Sequence, residues 1–252
     1  MRIVDLSHTI ESMPPDLPEF MRVDVSYNGH AAGAAEFEQG FGVPARLMRN
    51  GEGPAGERMT IGTHAATHVD APWHYNSVIQ GAPSQTIDEL PLETFFGPGV
   101  VVDAHQKADG DAVTEQEMKD GIAAAGHDLK PGDIVLVRTG RDAFYHEPNY
   151  MLRGCGVSPE ATLWLYDQGV RVMGIDAWGW DAPLDKQAAL ALERDEPGIF
   201  WAAHQIDRAY SQIERLTNLD ALPPTGFTVA CFPLKIKGAS AGLTRAVAIL
   251  ED

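Results

Sequence analysis

The sequence predicts an α/β or α+β fold built on one mixed sheet that closes or curls strongly on itself. Three observations carry this. Short runs rich in β-branched residues recur along the chain, and helices with identifiable start signals are few. The 252 residues are 44% hydrophobic and 22% charged, enough apolar material for one substantial core.

Taken in order, residues 13–56 read as irregular, because Pro14, Pro15, Pro18, Pro44 and Pro54 interrupt every regular pattern. An N-terminal arm over about 13–56 is therefore expected on a single domain spanning 1–252. Strands are predicted at 100–102, 133–138, 170–175, 227–232 and 244–250, several bounded by Gly or Pro. A helix is predicted after Thr114, which forms a capping box with Glu117 ahead of Met118, Ile122 and Ala125. Ser158-Pro159-Glu160 supplies an N-cap, a first-turn proline and an early acid for a second helix. Residues 188–194 make a third.

Composition excludes several function classes. Nineteen Lys and Arg against 36 Asp and Glu give a net charge of −17, which repels phosphate backbones and anionic bilayers. No apolar run approaches the ~20 residues that span a bilayer, and the start MRIVDLSHTIE lacks the apolar stretch of a signal peptide. Cys155 and Cys231 are too few for a disulfide framework or a thiolate zinc site. A soluble cytoplasmic protein is expected.

Three of the nine histidines, His64, His68 and His74, fall within one stretch, His64-Ala65-Ala66-Thr67-His68-Val69-Asp70-Ala71-Pro72-Trp73-His74. In an extended segment His64, His68 and Asp70 point to one side; in a helix Asp70 turns away. Pro72 disfavours helical angles at Ala71, which favours the extended path. Two imidazoles and a carboxylate suit zinc, manganese or non-haem iron with positions left open for water. His74, behind the proline turn, is placed to take a proton and return it to a leaving group.

This stretch resembles the H-x-G-T-H-x-D-x-P-x-H signature of the cyclase family of metal-dependent hydrolases, which includes bacterial kynurenine formamidase and isatin hydrolase. His64, Thr67, His68, Asp70, Pro72 and His74 match, and Ala66 stands where the family has glycine. Val4-Asp5-Leu6-Ser7-His8, residues 131–136, Gly174-Ile175-Asp176, Leu216-Thr217-Asn218-Leu219 and Gly238-Ala239-Ser240-Ala241-Gly242 look like further family landmarks. The resemblance implies a swivelling β/β/α fold with a mixed, barrel-like sheet flanked by helices, assembled as a homodimer or homotetramer. It implies metal ligation by His64, His68 and Asp70, with His74 as catalytic proton shuttle. By the formamidase pattern, His204 and Glu214 add a second site, although ten residues is a short separation for that branch. By the isatin hydrolase pattern, a single manganese also takes the side-chain amide of Gln212; Gln212 and Glu214 share a face only if extended. Mn2+ is favoured, with Zn2+ the alternative.

Other matches carry less. Gly238-Ala239-Ser240-Ala241-Gly242 fits the G-x-S-x-G elbow, but a strand follows it and no histidine comes after Ser240. Ser240 is instead expected at the substrate pocket or closing a hairpin. Gly51, Gly53 and Gly56 fit G-x-G-x-x-G without a strand before or a helix after. Nothing beside Cys155 in sequence would activate its thiol. Trp73 and Trp178 are candidates for an aromatic wall against a flat substrate.

The function expected is metal-dependent opening of a cyclic amide, isatin to isatinate, by activated water. The alternatives are hydrolysis of an aryl formamide such as N-formylkynurenine or of a lactone, and, in another class, a non-catalytic metal- or ligand-binding protein.

Overall fold

The computed structural model describes residues 1–14, 17 and 19–251. Pro15 and Pro18, two of the prolines read as interruptions, lie outside these. The chain divides into two compact units, one formed by residues 1–9 with 66–252 and the other by residues 10–65.

In chain order the regular elements are β1 (Arg2–Asp5), β2 (Val23–Asn28), α1 (His30–Phe41), β3 (Gly56–Ile61) and β4 (His68–Asp70). The two-residue strands β5 (Val78–Ile79) and β6 (Ala82–Pro83) precede β7 (Phe96–Asp103), β8 (Ala112–Val113) and α2 (Glu115–Ala124). Then come β9 (Ile134–Arg138), β10 (Gly156–Val157), α3 (Pro159–Asp167), β11 (Val172–Ile175) and α4 (Leu184–Arg194). The chain ends with β12 (Ser211–Glu214), β13 (Phe227–Ala230), β14 (Ala241–Leu243) and β15 (Val247–Leu250).

The larger unit is organised by a nine-stranded sheet in the order β1-β15-β13-β7-β9-β11-β12-β4-β14. Strands β7, β9, β11 and β12 run parallel at its centre, and antiparallel strands extend both sides. The sheet curls: the chain leaving β1 at one edge bridges Ser7 to Leu216, just past β12, and Leu6 O accepts from Thr217 N at 3.0 Å. This is the mixed, curled sheet expected from the sequence.

Period-two alternation builds a core on each face. On β9, Val135 and Val137 join Met118 and Ile122 of α2 and Ala161 and Leu165 of α3, while Ile134 and Leu136 join Leu6, Val69, Phe95 and Val229 on the other side. Each such fully buried aliphatic side chain contributes roughly 1.5–3 kcal/mol. Gly99 is required by packing: the ring of Phe227, its partner across β7 and β13, lies where a Cβ would be, at 2.0 Å.

The cap signals act as read. The Thr114 hydroxyl accepts from Glu117 N at 3.3 Å and the Glu117 carboxylate accepts from Thr114 N at 2.8 Å. Ser158 Oγ accepts from Ala161 N at 3.1 Å, with Pro159 in the first turn. Each cap is worth about 1 kcal/mol.

Residues 10–65 are not the irregular arm the prolines suggested. They contain the twelve-residue helix α1, closed by Gly42 in the left-handed conformation at φ 68°, and a six-residue antiparallel pairing of β2 with β3. The breakers lie between these elements, so proline counting marked the joints and missed the pieces. The glycine-rich loop here packs against α1: a Cβ on Gly53 would lie 2.2 Å from Ala34 N, and one on Gly33 would lie 1.9 Å from Pro54 O. Close helix–loop approach is what these glycines serve. Among the described residues no helix is long and apolar enough to cross a membrane.

Asp176, at the end of β11, is buried and accepts from Thr139 N and Oγ1, both at 2.6 Å, and from Gly140 N at 2.8 Å. Burial pushes its carboxyl up to about 6, against the pull of those hydrogen bonds. The folded chain therefore holds this proton more tightly than the unfolded chain does. Stability is lost as pH rises from the unfolded value toward 6 and is regained on acidification. Relative to Asp176→Asn, the wild type is expected to gain roughly 2 kcal/mol between about pH 6.5 and pH 4. Urea unfolding of both proteins across that range checks this, and parallel curves would refute it.

Candidate metal centre and active site

The candidate site is laid out by two short antiparallel strands. Strand β4 is extended, so His68 and Asp70 share one face. Strand β12 is extended too, so Gln212 and Glu214 share one face, and the register sets Glu214 opposite His68. Continuing that register sets Gln212 opposite Asp70. All four side chains are buried.

Pro72 ends β4: Ala71 before it is extended at φ −89°, ψ 156°, and Pro72–His74 forms a 3-10 turn. That turn leaves Trp73 45% exposed and carries His74 back toward the site, half-buried. His74 meets Trp201 and His204 edge-on, with ring centroids at 5.0 and 5.9 Å.

His68 Nδ1 lies 2.6 Å from Ala66 O, which fixes that nitrogen as the donor. Its Nε2 is then aimed at two carboxylates, 3.1 Å from Asp70 Oδ1 and 3.7 Å from Glu214 Oε2. A lone pair facing two buried carboxylates is repulsive unless a cation or a proton lies among them. The ligating atoms of His68, Asp70 and Glu214 all fall within 4.8 Å of one another, close enough to hold one metal ion.

Gln212 Nε2 donates to Tyr210 Oη at 2.5 Å, and that hydroxyl donates to Ala203 O at 2.7 Å. This orients the amide and leaves Gln212 Oε1 buried without a hydrogen-bond partner. The Tyr75 hydroxyl donates to Tyr210 O, pinning the same strand.

His204 stands on the far side of Glu214, its Nε2 3.4 Å from Glu214 Oε1. Asp181 clamps it, accepting from Nδ1 at 2.5 Å and from the backbone amides of Ala203 and His204 at 2.9 and 3.0 Å. Burial would lower the His204 imidazole, but the hydrogen bonds to Asp181 and Glu214 outweigh it and push it up to about 10. Burial and the Asp70 charge push Glu214 up; the bond to His204 and the charges of His204 and His68 prevail and hold it below the usual carboxylate range. Trp180 N donates to Glu214 Oε1 at 2.8 Å and fixes its position. Trp201, in the left-handed region at φ 66°, stacks on His204 with centroids 4.7 Å apart.

The structure thus brings together His68, Asp70, Gln212, Glu214, His204 and His74, although the two paired strands lie far apart in the sequence. His64 belongs to the 10–65 unit, half-buried in a turn one residue from its end. Trp178 is half-buried with its Nε1 buried and without a hydrogen bond. Ser240, half-buried, accepts from Ala71 N at 2.9 Å through its carbonyl and leads directly into β14 beside β4. No helix follows it, so the nucleophile-elbow geometry is absent there. Cys155 is buried, and burial pushes its thiol up to about 11, so it is no nucleophile at neutral pH.

Sequence reasoning gives no site role to Asp181, Trp201 or the tyrosine pair Tyr75 and Tyr210. The one local signal for Asp181 is its place directly after Trp178-Gly179-Trp180.

Comparison with known proteins gives the same reading of the chain. Residues 4–182 match the Cyclase family model, described as "Putative cyclase". Kynurenine formamidase of Salinibacter ruber is 32% identical over 193 residues, covering 75% of this chain and 77% of the relative. Isatin hydrolase A of Labrenzia aggregata, solved with benzyl benzoate bound, superposes with a TM-score of 0.77 at 25% identity, covering 100% of this chain and 94% of that one. Isatin hydrolase A of Ralstonia solanacearum has the same fold, with a TM-score of 0.77 at 23% identity over 99% of this chain and 92% of its own. On this match and on the site that its signature residues build, the chain belongs to the cyclase family and is a hydrolase.

Proposed function

We propose that the chain is a metal-dependent amidohydrolase that opens a cyclic amide, with isatin to isatinate as the leading reaction. The observation that carries this is the buried His68, Asp70 and Glu214 cluster with the orphaned Gln212 Oε1 beside it. Two buried carboxylates, an imidazole nitrogen and an unsatisfied amide oxygen form a donor set that fits a divalent cation. His64, joined to β4 by three residues, completes the set by its place in the signature. Mn2+ is the metal we favour, with Zn2+ the alternative.

A divalent cation held there supplies Lewis-acid polarisation of the scissile carbonyl and an acidified water. The protein's own groups do the rest. His74 accepts a proton and delivers it to the leaving nitrogen. Trp180 N and His204 hold Glu214, and Asp181 holds His204. Trp201 offers an aromatic face beside His74 for a flat substrate, and Trp73, Trp178 and Ser240 remain candidates for the wider pocket.

Aryl formamide hydrolysis is the second reading. It is favoured by the 3.4 Å approach of His204 to Glu214, which brings together the pair that the formamidase pattern uses for a second metal. The active species we take to be a homo-oligomer, supported by the exposed Tyr27, Phe41, Leu47 and Met59 of the 10–65 unit.

The test is one absorbance panel of isatin, N-formylkynurenine and simple lactones with added manganese or zinc. Isatin is expected to turn over at least ~10-fold faster in kcat/KM than the others, a transition-state difference of about 1.4 kcal/mol. Preference for N-formylkynurenine would select the second reading, and no turnover with either metal would reject both.

A further inference from the structure

Arg215, directly after Glu214, combines three costs. It is only 4% exposed. Its backbone is in the left-handed region at φ 59°, which is uncommon for a non-glycine residue. Its side chain forms no ion pair among the described residues, and its hydrogen bonding is limited to Nε donating to Trp178 O at 3.4 Å. The guanidinium lies over the Trp178 ring, 5.0 Å from its centroid.

Carboxylates of the adjoining segments are engaged elsewhere. Glu214 is taken by His68, His204 and Trp180 N. Asp142 accepts from Thr217 Oγ1 at 2.8 Å and Asn218 N at 3.3 Å. Asp176 is held by Thr139 and Gly140. Two further polar atoms near Arg215 are buried without a hydrogen bond, Trp178 Nε1 and His8 Nε2. His8 is tied to the same place through Thr67, whose hydroxyl accepts from His8 N at 3.0 Å and donates to Arg215 O at 2.6 Å. Burial lowers His8 to about 4 against the pull of the Asp142 charge, with His146 and Arg215 adding to the lowering, so His8 brings no second positive charge at neutral pH.

A buried arginine without a counter-charge is costly, and its fork of donors matches a carboxylate. We propose that Arg215 and the indole N–H of Trp178, with His8 beside them, form a binding site for a small carboxylate anion of formate or acetate size. The near-complete burial of Arg215 sets the size limit, and a chain of net charge −17 needs such a local cation to hold any anion. The site does not depend on which bond the enzyme hydrolyses.

The test follows melting temperature and tryptophan emission while sodium formate or acetate replaces sodium chloride at constant ionic strength. Formate is expected to raise Tm saturably, by roughly 3–5 °C at about ten times its Kd. The difference spectrum between wild type and Trp178→Phe should change with the same midpoint. Arg215→Met is expected to fold, to melt no lower than wild type in chloride, and to lose the formate response. Arg215→Lys, which keeps the charge without the fork, should bind about tenfold more weakly. An equal response in Arg215→Met or Arg215→Lys, or no saturable response in the wild type up to about 100 mM, would overturn the site. A formate effect matched by chloride would show ionic screening only and would also overturn it.

Discussion

His68→Ala is expected to purify without its metal and to lose at least ~10³-fold in kcat/KM, since several kcal/mol of transition-state stabilisation go with the ion. The wild type should carry about one manganese or zinc per chain. His68 is the imidazole between Asp70 and Glu214, so its removal leaves two buried carboxylates facing each other with less between them. They then repel one another, and one is expected to take up a proton, which lowers affinity for a cation further. Elemental analysis gives the metal content, and circular dichroism establishes that the variant is folded. Because a cavity at a fully buried position can itself destabilise the chain, His68→Gln serves as a second variant of similar bulk. A folded His68→Gln that retains full metal and full activity would refute the centre.

His74→Ala is expected to behave in the opposite way, keeping its metal while losing about 10²–10⁴-fold in kcat. His74 is half-buried, outside the paired strands, and touches the site through its ring contacts with Trp201 and His204. Its loss removes a proton carrier without opening the buried cluster. The two variants therefore separate binding from turnover, one losing both and the other losing turnover alone. Unchanged turnover in a metal-loaded His74→Ala would assign the proton transfer to another group. A wild type that binds metal without hydrolysing any substrate of the panel would favour the non-catalytic binding protein.

Much of this was legible locally. The capping box at Thr114 and the Ser158-Pro159 start were read from residues within one turn of each other, because caps are made by near neighbours. The parallel strands β7, β9 and β11 announced themselves as β-branched runs buried on both faces. The spacing of His68, Asp70 and Pro72 already specified an extended pair followed by a turn, and the structure has both. The arm expected over about 13–56 instead holds regular elements, and helix α1 is rich in alanine and glycine with a weak apolar stripe, so periodicity does not reveal it.

The site itself divides along the same line. Residue types, the histidine cluster, its extended backbone and the family signature are properties of one short segment, and local sterics with side-chain alternation were enough to read them. The partners come from far along the chain. Glu214 reaches His68 only because β12 pairs antiparallel with β4 in one register, and a shift of one residue would turn Gln212 and Glu214 to the opposite face. Asp181 meets His204 across the segment that carries helix α4, and Arg215 is left buried next to Glu214 with no ion pair among the described residues. Long-range register and burial are set by how the whole sheet packs, so no local propensity encodes them, and they appear only when the chain is folded.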